Sequence, residues 1–271
     1  MPKVIVERRR AVLEIRINRP ELLNAVDRET IAALAAAAAE AAEDRTARAV
    51  LLGGAGTHFC AGGDIAMFGE LVGLSPEDRR KMLYQTVEAL HPLLVRLRHM
   101  AKPVVAAVQG AAAGFGLSLV LAADFALAAE DAVFACGYIG LGASPDGGMT
   151  ALLPATVGLK RATELMLLGE RFDARRALAL GIVNRLVAPD RLSAEAEEMT
   201  ERLAAGPGEA LARTKSLIQA NLGDAFDAQL RREAKNFAEC AAADDFVEGV
   251  RAFLEKRRPA FAGSLPLASE G

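Results

Sequence analysis

Tryptophan is absent from these 271 residues, and tyrosine, cysteine and histidine are scarce, at two, three and three. Cys60, Cys136 and Cys240 are odd in number and far apart, so no disulfide framework is expected. His58, His91 and His99 lack metal-ligand spacing, and no metal site is expected. Neither sign of charge dominates: 32 basic residues face 35 acidic ones for a net −3, which leaves no footprint for nucleic acid. The short clusters Arg8–Arg10 and Lys256–Arg258 read as solvated termini. Hydrophobic residues make up 52% of the chain, yet no apolar run reaches the ~18 residues of a membrane span. The longest low-charge stretch, Pro103 to Leu121, is cut by Gln109, Gly110, Gly114, Gly116 and Ser118. Glu14 and Arg16 break the apolar residues after Arg8–Arg10, so neither a signal nor a transit peptide is read and a cytoplasmic location is expected. Three nucleotide and hydrolase signatures are missing too: the G-x-G-x-x-G dinucleotide turn, the G-x-x-x-x-G-K-[ST] phosphate loop and the G-x-S-x-G elbow.

What is present has a changing rhythm. Leu13, Ile15 and Ile17 alternate with Glu14, Arg16 and Asn18, the period of a half-buried strand in an N-terminal hairpin. Asp27 reads as the cap of an alanine-rich helix to about Asp44, followed by a buried strand at Ala49–Leu52. Ser75-Pro76-Glu77-Asp78 opens a helix expected to run to about Met100, where Lys102-Pro103 stops it. Strands are expected at Val104–Val108, Phe125–Ala128 and Val133–Ala135, with a turn at Gly110–Gly116 and a short helix at Leu117–Ala122. Beyond residue 150 strands nearly vanish, Ile182–Val187 excepted, and helices are expected from about 160 onward. This predicts an α/β core over residues 1–190 and a helical region over 191–271, whose interleaved charges read as solvated faces.

Two glycine turns stand out, His58-Phe59-Cys60-Ala61-Gly62-Gly63-Asp64-Ile65 and Gln109-Gly110-Ala111-Ala112-Ala113-Gly114-Phe115-Gly116-Leu117. Small residues there let a ligand approach the backbone, and amide N–H groups at a helix start favour negative charge. Facing one another, two such turns would form an oxyanion hole, the group a thioester oxygen needs as it becomes an enolate. Tight packing alone would also explain them.

The order and separation of these turns resemble the enoyl-CoA hydratase/isomerase (crotonase) superfamily over nearly the whole chain. Arg19-Pro20-Glu21-Leu22-Leu23-Asn24-Ala25 is similar to its N-R-P-x-x-x-N-A segment, and Phe59-Cys60-Ala61-Gly62-Gly63-Asp64-Ile65 to its F-x-A-G-x-D loop. Lys102 to Gly110 resembles its K-P-x-I-A-A-V-x-G strand, Pro145-Asp146-Gly147-Gly148 the turn before its next helix, and Phe253 to Phe261 its F-x-E-K-R-x-P-x-F ending. The resemblance implies a spiral of β-β-α units followed by a helical trimerisation region, assembled as homotrimers or hexamers. It implies a coenzyme A thioester as substrate, with no permanently bound cofactor. Ala61 and Phe115 match the oxyanion donors. Leu22, Leu23, Gly62, Gly63, Asp64 and Ile65 match positions along the CoA path, with Tyr138 as a pocket wall, and Phe253 and Lys256 match C-terminal positions that reach CoA.

Hydratases of that superfamily carry two glutamates, and the matching positions here hold Ser118 and Tyr138. Hydroxyls are poor general bases at neutral pH. A carboxylate survives nearby at Asp146, where the isomerase branch with an S-P-D-G-G turn places its acid. The resemblance therefore implies an enoyl-CoA isomerase moving a 3-enoyl-CoA to a 2-enoyl-CoA through Asp146. Asp146 could instead cap the next helix. Alternatives are an enoyl-CoA hydratase, an acyl-CoA hydrolase or dehalogenase using Asp146 as nucleophile, and a non-catalytic acyl-CoA-binding protein.

Overall fold

The structure, a computed structural model, describes residues 1–220 and 225–261. The expected helical region 191–271 thus includes residues 221–224 and 262–271, which lie outside the described ones. The chain opens with the hairpin β1 (Val4–Arg9) and β2 (Val12–Ile17), then α1 (Arg28–Glu43) and β3 (Ala49–Gly54). The Asp27 carboxylate caps α1 by accepting from the Thr30 N–H at 2.8 Å. Next come α2 (Ile65–Gly69), α3 (Pro76–Glu88), α4 (His91–His99), β4 (Val104–Val108), β5 (Ala111–Ala113) and α5 (Phe115–Ala122). After β6 (Phe125–Ala129) and β7 (Val133–Ala135), the chain runs through α6 (Met149–Val157), α7 (Leu159–Leu168), β8 (Phe172–Asp173), α8 (Ala174–Ala179) and β9 (Arg185–Val187). Four helices follow: α9 (Leu192–Ala204), α10 (Gly208–Ala220), α11 (Ala225–Ala242) and α12 (Asp244–Leu254).

Two sheets organise these elements. The larger has order β1-β2-β3-β4-β6-β9, parallel except for the β1–β2 hairpin. The smaller has order β5-β7-β8, and single bridges Val26↔Gly63 and Cys60↔Ala112 extend it. The chain passes from the large sheet to the small one and returns by a helix, as in β4-β5-α5. Successive turns of this spiral stack four backbone segments, around residues 24–26, 60–63, 111–114 and 133–137, side by side. Parallel strands buried on both faces need continuous apolar runs, which β3 and β4 supply as AVLLGG and VVAAV.

Several sequence expectations change here. The helix expected from Ser75 to Met100 is two helices, α3 and α4, because Pro92 has no N–H to continue the ladder. The expected turn Gly110–Gly116 contains a strand, β5, since Ala111–Ala113 pairs with β7. The β2 strand is buried along nearly its whole length, Glu14 included, rather than half-buried, because both α1 and α9 pack against it. The helices α2 and α6 and the two-residue β8 carry too little periodicity to be read locally. The tail does not stand apart: α11 packs along α3, and the Arg79 guanidinium donates to the Ala241 and Ala242 carbonyls at 2.7 and 3.0 Å.

Candidate active site

A cavity of about 790 Å³ opens where the stacked turns of the small sheet meet α2, α3 and α11. The first turn is bent by Leu23 and Asn24, both with left-handed backbones (φ 54° and 56°). Buried Asn24 holds that bend: its Oδ1 accepts from the Arg19 N–H at 2.8 Å, and its Nδ2 donates to the Ala55 and His58 carbonyls at 2.8 and 2.6 Å. The Oδ1 bond closes the turn itself, and the two Nδ2 bonds tie it to the loop after β3, so one side chain sets the spacing of the cavity wall.

The second turn corrects one sequence expectation. The Ala61 N–H is donated to the Leu23 carbonyl at 3.0 Å, so it is not free to serve as an oxyanion donor. Gly63 is different. Val26 donates to the Gly62 carbonyl and accepts from the Asp64 N–H, a parallel bridge in which the N–H of Gly63 itself points away. Among the described residues no acceptor takes the N–H of Gly63 or of Phe115, the first residue of α5. Phe115 follows Gly114, whose φ of 51° and ψ of −122° suit glycine alone. A Cβ on Gly62 would lie 3.7 Å from Gly114 Cα, so the two turns approach closely. Gly63 and Phe115 both line the cavity.

Asp146 lines the same cavity, buried at 7% exposure. Its Oδ1 accepts from the Tyr138 hydroxyl at 2.7 Å, and Oδ2 is left to the cavity. Burial pushes its carboxyl up to about 6, and the Tyr138 bond opposes that rise. Burial also raises the Tyr138 hydroxyl well above its ordinary value, so it stays a donor. The Ser118 hydroxyl donates to the Asp146 carbonyl at 3.1 Å, and a Cβ on Gly147 would strike Ser118 and Phe115. The turn is thereby pinned to α5. Asp146 does not cap α6: the cap position is Gly148, which has no side chain to offer.

Of the other sequence-selected residues, Leu23, Ala61, Gly62, Ile65, Tyr138 and Phe253 line the cavity. Leu22, Asp64 and Lys256 do not. Leu22 is exposed on a short 3-10 turn, and Lys256 is exposed beyond α12. Asp64 is a scaffold group: its Oδ2 accepts from Arg19 at 2.8 Å and its Oδ1 accepts from the Ala66 N–H, capping α2. Cys60 is fully buried, and burial pushes its thiol up to about 12, which removes it as a nucleophile. Asp131, exposed before β7, is the other carboxylate on the cavity wall among the described residues.

Met67, Phe68, Leu83, Val87, Leu90 and Phe237 supply apolar lining of the cavity; the sequence offered Met67, Phe68, Met82 and Leu83 for an acyl pocket or, more simply, the core, and Met82 does not line it. Sequence reading missed one feature. Glu233, read as part of a solvated face, is buried at 2% and holds α6. The available signal was its place on the stripe Phe226, Leu230, Phe237, an acid among residues spaced for burial. The described residues contain no cluster of three or more potential metal ligands and no helix long and apolar enough to cross a membrane.

Residues 7–264 match the family model described as Enoyl-CoA hydratase/isomerase. The chain is 36% identical to a 1,2-epoxyphenylacetyl-CoA isomerase of Escherichia coli, over 94% of this chain and 96% of that protein. It is 38% identical to a probable enoyl-CoA hydratase of Rhodobacter capsulatus, over 92% and 93%. The solved structure of an enoyl-CoA hydratase from Mycobacterium avium subsp. paratuberculosis superposes with a TM-score of 0.86 at 35% identity, covering 96% of this chain and 98% of that one.

Proposed function

The chain belongs to the enoyl-CoA hydratase/isomerase family, and within it we propose that this protein is an enoyl-CoA isomerase acting through the single carboxylate of Asp146. The supporting observation is that one buried acid lines the same cavity as two unengaged backbone donors, with hydroxyls at Ser118 and Tyr138.

The acyl thioester of a 3-enoyl-CoA enters with its carbonyl oxygen toward the N–H groups of Gly63 and Phe115. Asp146, ionised, takes a proton from C2. The C2–H electron pair moves into the conjugated system, and the thioester oxygen becomes an enolate held by the two donors. The same carboxyl, now protonated, gives its proton to C4. The C3–C4 double bond thereby moves to C2–C3, and the enzyme returns to its starting state. A single acid raised to about 6 suits both halves of the cycle. Hydration needs a second group to position and activate water. Ser118 is committed to the Asp146 carbonyl and Tyr138 to its carboxylate.

The test is incubation with a 3-enoyl-CoA and a 2-enoyl-CoA in deuterium oxide, following conjugation, hydration and label at C2 and C4. Conjugation with label exchange supports the reading. Rapid hydration of the 2-enoyl-CoA without isomerisation overturns it. Self-association as trimers is part of the proposal: α7 leaves Leu159, Leu167 and Leu168 exposed at 71%, 63% and 62%. Light scattering giving a monomeric mass would remove it.

A further inference from the structure

A second buried carboxylate stands behind Asp146. Glu233, on α11, reaches across to the first turn of α6. Its Oε2 accepts from the Gly148 N–H at 2.6 Å, and its Oε1 accepts from the Thr150 N–H at 2.8 Å and from the Thr150 hydroxyl at 2.5 Å. The Thr150 hydroxyl accepts in turn from Gln229 Nε2 at 2.6 Å, which sends its own proton toward Glu233. Three donors therefore converge on Glu233, the arrangement of an anion. The approach is tight: a Cβ on Gly148 would meet the Phe226 ring at 2.7 Å. Because the Gly148 cap position has no side chain, α6 would otherwise direct its unpaired N–H groups and the positive end of its dipole toward the Asp146 turn two residues away.

We propose that Glu233 is a positioning residue for the proton-transfer step: it caps α6 from outside, fixes the Asp146 turn against the cavity, and offsets the positive helix end that would weaken Asp146 as a base. This inference rests on the isomerase reading above for its catalytic meaning, but its structural content is independent of it. The groups that face Asp146 are Tyr138 from the loop after β7, Ser118 from α5, and Glu233 from α11. The α5 and α6 helices contain no charged residue.

Burial raises Asp146 to about 6 and Glu233 to about 7, and the charge on Asp146 contributes to the latter. The proposal requires the two charges to interact, and interacting acids titrate as a pair, with apparent values that belong to both. Carbon-13 NMR of protein labelled at the aspartate carboxyl carbons reads this directly, with the Asp146 resonance assigned by its loss in Asp146→Asn. In the wild-type protein it shifts in two steps. In Glu233→Gln it shifts in one, about one pH unit below the wild-type upper step. With a 3-enoyl-CoA the same variant loses about tenfold in kcat with KM unchanged, the signature of a weaker base rather than a damaged binding site. A single-step wild-type titration overturns the pairing, and so does a two-step titration that persists in Glu233→Gln. The wild-type measurement decides even where the variant does not fold. Two steps together with isomerisation that survives Asp146→Asn would uphold the pairing and sink the isomerase mechanism.

Discussion

Asp146→Asn separates catalysis from stability, because the two should move in opposite directions. Burial lifts the Asp146 carboxyl from 3.8 to about 6. A shift of about 2 units corresponds to about 3 kcal/mol between protonation states. The sign follows from where the proton is held: an acid raised by folding binds its proton more tightly in the folded chain. Its contribution to stability is therefore fully present below about pH 4 and is lost as pH rises through about 6. Asparagine never ionises, so at pH 8 the variant escapes a penalty of up to about 3 kcal/mol. It keeps Oδ1 to accept from Tyr138, and its Nδ2 faces the cavity, where Oδ2 now lies. Melting should rise by about 2–4 °C for each kcal/mol regained in a chain of this size. The same change removes the base, and loss of a positioned general base lowers turnover by about 10²–10⁴-fold. Two assays suffice, calorimetric melting at pH 5 and 8 and conjugation of a 3-enoyl-CoA followed by absorbance. A variant that melts lower at pH 8 refutes the desolvation reasoning, and one that isomerises at the wild-type rate removes Asp146 from the mechanism.

Wild-type kcat should rise with pH between about 6 and 7 as the Asp146–Glu233 pair ionises, and a profile flat from pH 5 to 8 would contradict an aspartate base. In Tyr138→Phe the acid limb should move to higher pH, because the lost hydroxyl bond is what lowers the Asp146 carboxyl; a limb moving downward would reverse the assignment. Gly114→Ala forces a side chain into a backbone with φ 51° and ψ −122°, at about 1–3 kcal/mol of strain. Displacing the Phe115 N–H should lower kcat by about 10²–10³-fold, and kcat within threefold of wild type would show that Phe115 is not a donor. Asn24→Ala leaves two carbonyls and one N–H without their partner. It should lower unfolding free energy by about 2–4 kcal/mol in urea titrations, and an unchanged midpoint would show that the spiral turns do not depend on it.

Much of this molecule was written locally. The apolar runs at Val104–Val108 and Ala49–Leu52 and the Asp27 and Ser75 caps are short-range signals, and each marks an element that formed. Residues of the two glycine-rich turns and the acid Asp146 line one cavity. Other assignments turned on partners far away in sequence. Whether Ala61 or Gly63 offers a free N–H depends on Leu23 and Val26 lying alongside, and extended backbone directs alternate groups to opposite sides. Whether Ala111–Ala113 is turn or strand depends on β7. Glu233 looked like one more charge on an amphipathic helix, and only the packing of α11 against α6 makes it a buried cap 85 residues from the N–H of Gly148 that it satisfies. Sequence determined which residues could do chemistry. Tertiary structure decided which of them retain an unengaged donor or an uncompensated charge, because hydrogen-bond satisfaction and burial are properties of the assembled neighbourhood.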